Sequence, residues 1–379
     1  MCYNSFVRRK NENKSCAYII AVIVAAAFVI LNLHERIDLM KVFSCDNNTT
    51  LAEYLTYWLY SFRAMRIRET TMQDYRLTVH KHIIPKIGDI PLCELKVSDI
   101  QNFLNDEAEN GNLRYGGGLS VKTLHGTKGL LSSALQKAVI MGYIPINPCN
   151  GVELPVLIRK EMTVLSVEEG TKVRVNALLD DNLDYGFAFW LALVFGLRNG
   201  EVCALRWSDI DFNEKLIHIR RTAKRVENSN PNIQSRTKMY INTPKTDKSR
   251  RDIAFTDRVR DILLDVHKRR NDIDYYGKRN ADISMRDQIF LNSIGGYADT
   301  GTVEKAFKRF LKRIGIDNSA YTMHTLRHTF VTRGIEKGAD IKAVSEIVGH
   351  TSVEFTLNRY GHVLDEHMRN VMTVLLEDV

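Results

Sequence analysis

YGFAFWLALVFGLRNGE, residues 185–201, is the stretch on which the fold turns. From Tyr185 to Phe195 nearly every side chain is apolar, over about three turns of helix. A helix that is apolar all round must be buried, so this segment reads as the centre of a core. Gly196 breaks it, and Arg198 follows two residues later. An arginine there can sit at the rim of the core and face a cleft, where its fork of donors matches phosphate oxygens in a bidentate way. The plainer reading is a helix-end arginine paired with Glu201, three residues on.

Upstream, Leu51, Tyr54, Leu55, Trp58, Leu59 and Phe62 recur at spacings of three and four, which gives a helix with one apolar face. Thr70 with Gln73, and Ser98 with Gln101, have capping-box spacing and predict two further helix starts. Pro85, Gly88 and Pro91 place a loop between them. The turn Gly116-Gly117-Gly118 precedes a fourth helix from about Ser120 to Met141, and Pro145 and Pro148 close the region. Residues 46–150 therefore read as a small all-helical domain. A linker with Pro155, Arg159 and Lys160 covers 151–163 and leads into a second domain over 164–379. Ser166-Val-Glu-Glu169 is a capping box at its opening.

Beyond the buried helix, Leu216–Arg220, Met239–Thr243 and Arg251–Phe255 read as short strands. The last two are joined by Pro244-Lys-Thr-Asp-Lys-Ser-Arg250, which suits a hairpin with Lys245 at its tip. From Val303 the chain returns to helices. The fold class is mainly α with a small antiparallel β-sheet: an all-helical domain followed by an α+β one.

The 379 residues carry a formal charge of +8 and a sequence pI near 9.0, which favours a polyanionic partner, either nucleic acid or an anionic membrane surface. Six scattered cysteines (Cys2, Cys16, Cys45, Cys93, Cys149 and Cys203) form no CxxC pair, which argues against zinc and against a disulfide framework. That fits a reducing cytoplasm. Within the N-terminal segment 1–45, CAYIIAVIVAAAFVIL at 16–31 follows Arg8, Arg9 and Lys10. It reads as a membrane helix with a cytoplasmic N-terminus, as a buried or interfacial helix, or as the product of a wrongly chosen start codon. A membrane span would put the rest of the chain outside, away from DNA.

Several polar stretches carry chemistry. His324 and Arg327 lie three apart and project from one helix face. His328 is four from His324, but a zinc-binding HExxH needs a glutamate where Thr325 stands, so no metal is expected. Between Arg220 and Arg251 there are ten Lys or Arg against two acidic residues, Glu227 and Asp247. Such a run is either a solvated face or a surface that follows DNA phosphates. Tyr360 is one of 15 tyrosines; a phenol with a pKa of about 10 is a poor nucleophile unless cations surround it.

Taken in order, Gly196-Leu-Arg198-x-x-Glu201, Lys245, His324-x-Leu-Arg327-His328, Gly349-His350 and Tyr360 resemble the tyrosine recombinases, the phage-integrase family. The resemblance covers about residues 50–379 and is closest to integrases of conjugative transposons and prophages. Those usually carry an N-terminal arm-binding domain, in whose place this chain has its apolar segment. The resemblance implies a helical core-DNA-binding (SAM-like) domain and a catalytic domain. Tyr360 would attack the scissile phosphate and hold it as a 3′-phosphotyrosine. Arg198 and Arg327 would bind its non-bridging oxygens, and Lys245 would protonate the leaving 5′ oxygen. His324 would assist proton transfer at the tyrosine, His350 would hydrogen-bond a phosphate oxygen, and Glu201 would orient its neighbours. No cofactor, metal or nucleotide is implied.

The partners implied are double-stranded DNA at attachment sites, three further copies in a tetramer, and excisionase-like or bending proteins. Lys122, Lys128, Arg220, Arg221 and Lys248 are the candidate DNA contacts. Val371, Val374, Leu375 and Leu376 would form an apolar face that docks on a neighbouring protomer or on the chain's own domain. The expected activity is integration and excision of a mobile element. A chromosome-dimer resolvase with the same chemistry, a regulator that has lost catalysis and a membrane-anchored sensor are the alternatives.

Overall fold

The computed structural model describes residues 43–158, 162–179, 185–227, 237–242, 250–350, 352–357 and 360. The chain divides into two compact units, Met1–Arg159 and Lys160–Val379. Residues 16–31, Lys245, Lys248 and the apolar residues of 371–376 lie outside the described set. Among the described residues no helix is long and apolar enough to cross a membrane.

The first unit is helical. Helix α1, Leu51–Trp58, starts at Thr50, whose hydroxyl accepts from the Glu53 N–H at 3.3 Å. The Glu53 carboxylate in turn takes the Thr50 N–H at 2.8 Å, so the cap is reciprocal. A π-type turn, Leu59–Arg63, prolongs it. Helix α2 covers Glu69–Leu77, α3 Val97–Asn110 and α4 Val121–Ile140. The expected starts at Thr70 and Ser98 are corrected by these bounds, because both residues lie inside their helices. The start of α3 is closed from within, by Asp99 accepting the Lys96 N–H at 2.9 Å.

Pro85 does not break its helix either. Helix α2 runs on through a π-type turn, Thr78–Ile83, into a last α-helical turn, Ile84–Ile87. The wider turn just ahead of the proline absorbs the clash that its ring would otherwise make with the preceding carbonyls. Leu51, Leu55, Trp58, Val79, Ile83, Ile100, Leu104, Leu131 and Leu135 fill the core. The buried Tyr54 hydroxyl donates to the Ala134 carbonyl at 2.6 Å, which satisfies it.

In the second unit, Ser166 and Glu169 form the expected capping box at α5, Val167–Leu179. Helix α6, Gly186–Phe195, is buried on all sides except at the half-buried Val194, as its composition requires. It ends at Gly196, in the left-handed region at φ 63°. A Cβ there would lie 2.6 Å from the Phe330 ring and 2.9 Å from Val348, so glycine is needed for both conformation and space. A short helix α7, Asn199–Cys203, follows.

Two sheets come next. Strands β1 (Ile210–Asp211), β2 (Leu216–Ile219) and β5 (Arg251–Ala254) form one antiparallel sheet in that order. Strands β3 (Thr222–Glu227) and β4 (Thr237–Asn242) form a separate antiparallel ribbon. The expected hairpin between Met239–Thr243 and Arg251–Phe255 is thereby corrected: β4 pairs with β3, and β5 with β2. Burial explains the choice. Ile217 and Ile219 of β2 turn inward with Arg251 and Ile253 of β5, whereas β4 has no fully buried residue. Residues 243–249 connect the two sheets. Helices α8 (Asp257–Asp272), α9 (Thr300–Arg313), α10 (Met323–Glu336) and α11 (Ile341–Val348) complete the unit, and residues 353–357 are helical again.

Candidate active site

Helix α11 ends at Gly349, which adopts φ 65° and leaves the last helical carbonyls without intrahelical donors. Three arginines from elsewhere in the chain take up three successive carbonyls. Arg251 Nε donates to Ile347, Arg327 Nη2 to Val348 at 2.6 Å, and Arg198 Nη2 to Gly349 at 2.7 Å. The negative end of the helix dipole favours each of these contacts. The left-handed glycine that ends α11 thus organises a cationic cluster.

Arg327, on α10, is buried, and its Nη1 also donates to the Gly196 carbonyl at 2.7 Å. Burial first, then the charge of Arg198, push its pKa down to about 9, which still leaves it cationic at neutral pH. Arg198, at the start of α7, keeps 34% of its side chain exposed. Glu201 lies beneath it, accepting from the Arg198 backbone N–H at 2.9 Å and from Nη1 at 2.7 Å. Arg251 meets the same carboxylate with both terminal nitrogens, at 3.0 and 2.9 Å. Burial by itself would raise the Glu201 pKa, but the hydrogen bonds and charge of Arg251, then the charge of Arg198, outweigh it and hold it at about 2. The carboxylate stays ionised, and the cluster of Arg198, Arg251, Arg327 and Glu201 carries a surplus of positive charge.

Tyr360 is buried, with its hydroxyl 2.7 Å from Nδ1 of His328. His324 meets His328 edge to face at 4.4 Å between ring centroids, one helical turn away on α10. His350 Nδ1 lies 2.8 Å from the Thr356 hydroxyl. Burial first, then the charges of Arg327 and Arg198 with smaller contributions from His328 and His324, push His350 down to about 3, so its ring is neutral. The structure therefore brings together Arg198, Glu201, His324, Arg327, His350 and Tyr360. Sequence reasoning missed Arg251 and His328 as members. His328 stood in the quoted motif beside Arg327, whereas Arg251 was hidden in a basic run.

The candidate DNA contacts fare unequally. Lys122 is exposed on α4, while Lys128 Nζ donates to the Val152 carbonyl at 2.7 Å. Arg220 pairs with Asp252 and donates to the Arg251 carbonyl at 2.9 Å, and Arg221 pairs with Asp209.

A cluster of guanidinium groups, one of them (Arg327) near enough to interact electrostatically with a tyrosine that contacts an imidazole, suits transfer of a phosphoryl group to a phenol. The sequence comparisons lead to the same class. The chain belongs to the Phage integrase family, whose model matches residues 174–367, and the family's N-terminal SAM-like domain matches residues 50–107. It is accordingly a tyrosine-type site-specific DNA recombinase. Among curated relatives, it is 28% identical over 336 residues to a XerC-like tyrosine recombinase of Caldanaerobacter subterraneus subsp. tengcongensis, covering 86% of this chain and 83% of that protein. It is 25% identical to the ICEBs1 integrase of Bacillus subtilis, covering 77% and 73%. Among solved structures, the fold is shared with a Tn1549 transposon integrase in complex with a circular intermediate DNA, with a TM-score of 0.68 at 20% identity over 85% of this chain and 99% of that one. A lambda integrase dimer bound to a core site gives 0.57 at 19% identity, covering 82% and 95%.

Proposed function

We propose that this chain integrates and excises a mobile element by cutting and rejoining duplex DNA through a 3′-phosphotyrosine at Tyr360. The observation that carries the reading is the Tyr360–His328 hydrogen bond beside the cationic cluster of Arg198 and Arg327. As the phenol oxygen bonds to phosphorus, its proton passes to His328 and the bond to the 5′ oxygen breaks. Lys245 gives that oxygen a proton, so a 5′ hydroxyl leaves. Arg198 and Arg327 hold the two non-bridging oxygens and stabilise the charge that gathers on them. His324 braces the His328 ring. His350, neutral and taking the Thr356 hydroxyl hydrogen at Nδ1, carries its own proton on Nε2 and donates it to a phosphate oxygen. The phosphotyrosine keeps the energy of the broken bond, and rejoining is the same step in reverse.

Residues 46–150 serve as the core-binding domain, 151–163 as the linker and 164–379 as the catalytic domain. Four copies assemble on two duplexes in the cytoplasm, with excisionase-like or bending proteins setting direction. The similarity to the ICEBs1 integrase of Bacillus subtilis supports this over a chromosome-dimer resolvase. The test is strand exchange between two labelled duplexes carrying the joined ends of the element and its empty target. Recombinant products of defined sequence support the reading. Relaxation of supercoiled DNA with no exchange, on these and on chromosomal dimer sites alike, would contradict it.

A further inference from the structure

Glu201 presents an electrostatic difficulty for the site in which it stands. An ionised carboxylate at hydrogen-bond distance from Arg198 offsets the positive charge that a phosphate would meet, and it occupies donors that the phosphate needs. Arg251 meets the same carboxylate. Its fork spans both oxygens at 3.0 and 2.9 Å, with its side chain 6% exposed against 34% for Arg198. Its third nitrogen is fixed on the Ile347 carbonyl, so the guanidinium cannot swing toward the cleft. Arg251 is therefore built to hold Glu201 rather than to reach DNA.

We infer that Arg251 is a positioning residue that offsets the Glu201 charge and so leaves the positive charge of Arg198 to act on the scissile phosphate. Without it, Glu201 would draw on Arg198 alone, and the charge of the cluster would fall by one. The arrangement also explains why a carboxylate is tolerated beside a phosphate site. Glu201 accepts from both guanidiniums and from the Arg198 backbone, which fixes Arg198, while Arg251 removes the electrostatic penalty of doing so.

The inference rests on the recombinase reading, and its test separates the two. Single-turnover formation of the covalent adduct is measured on a nicked duplex with an ordinary scissile phosphodiester, and on one with a neutral methylphosphonate at that position. Arg251→Gln should lose on the order of 100-fold on the phosphodiester, as for removal of one oxyanion donor. On the methylphosphonate, which asks for less positive charge, the loss should shrink to under about 10-fold. A variant that is merely misfolded loses equally on both, and equal loss, or no loss, overturns the inference. Should Arg251→Gln fail to fold, the double variant E201Q/R251Q removes both buried charges. Its loss on the phosphodiester should be no greater than its loss on the methylphosphonate, since no unpaired carboxylate is left beside Arg198. A folded double variant that loses more on the phosphodiester overturns the inference. If the parent chain forms no adduct on either duplex, the recombinase reading itself fails.

Discussion

The Tyr360 hydroxyl lies 2.7 Å from Nδ1 of His328, whose ring His324 meets edge to face at 4.4 Å between centroids. In the proposed mechanism the nucleophile and its proton acceptor, at this distance, need no rearrangement before the proton moves. His328→Ala should therefore lower the single-turnover rate of adduct formation by about 100-fold or more while leaving duplex affinity unchanged. His324→Ala, which removes the ring packed against His328, should cost less. A ring-fluorinated tyrosine at position 360, with a more acidic phenol, should recover part of the His328→Ala loss. A larger loss in His324→Ala than in His328→Ala would move the proton acceptor to His324.

Gly196 holds the turn on which the site hangs, because its carbonyl accepts from Arg327 and its φ of 63° suits glycine. Gly196→Ala should cost about 1–2 kcal/mol from the backbone conformation alone. Overlap with the Phe330 ring, 2.6 Å from the added carbon, increases that cost. Urea unfolding measures it. A variant as stable as the parent chain would mean that the turn relaxes freely.

Acid should weaken the catalytic unit through two groups with the same sign. His350 is held neutral down to about pH 3, whereas in the unfolded chain it takes a proton near its ordinary value of about 6.5. The unfolded state thus binds more protons between these values, and stability falls as the pH drops through that window. Glu201, held at about 2 against an unfolded value of about 4.3, contributes stability above pH 4.3 that is lost toward pH 2. His350→Gln should flatten the decline between about pH 6.5 and 4.3, where His350 acts alone, and reduce it from there to about pH 3, leaving the Glu201 share in place. Denaturation midpoints across this range test the assignment, and an unchanged slope in His350→Gln would reject it.

The basic residues should separate into two groups on DNA. Lys122 is exposed, and Lys122→Ala should lower the salt slope of duplex binding by about 0.9 if it meets one phosphate. Arg221 is paired with Asp209, whose side chain is 9% exposed. Arg221→Ala should act mainly on thermal stability, because it strands a nearly buried carboxylate. The reverse pattern in salt titrations would exchange their roles.

How far the fold could be read from the sequence depended on where burial left its mark. The run from Gly186 to Phe195 leaves no polar face, so a buried helix was the one option, and Gly196 marked its end. Thr222–Glu227 was missed as a strand because TAKRVE carries three charges and only two buried residues, Ala223 and Val226. Its pairing with β4 then undid the expected hairpin, which turn composition alone had suggested. Pro85 read as a break because no sequence pattern announces a π-type turn ahead of it. In the site, Arg198, Arg327 and Tyr360 were legible through their spacing. Arg251 was not, since a buried arginine and a solvated one look alike in a basic run. The choice between His324 and His328 depended on which turn of α10 faces Tyr360, and sequence spacing does not show that.

The most direct measurement incubates the protein, without added metal, with a nicked suicide duplex carrying the ends of its own element, beside a Tyr360→Phe control. A covalent protein–DNA adduct that forms in the first reaction and is absent in the control is the expected result, with the linkage mapped by peptide sequencing to Tyr360 and the 3′ phosphate. An adduct that persists in Tyr360→Phe, or tight binding with none in either reaction, would contradict the tyrosine mechanism.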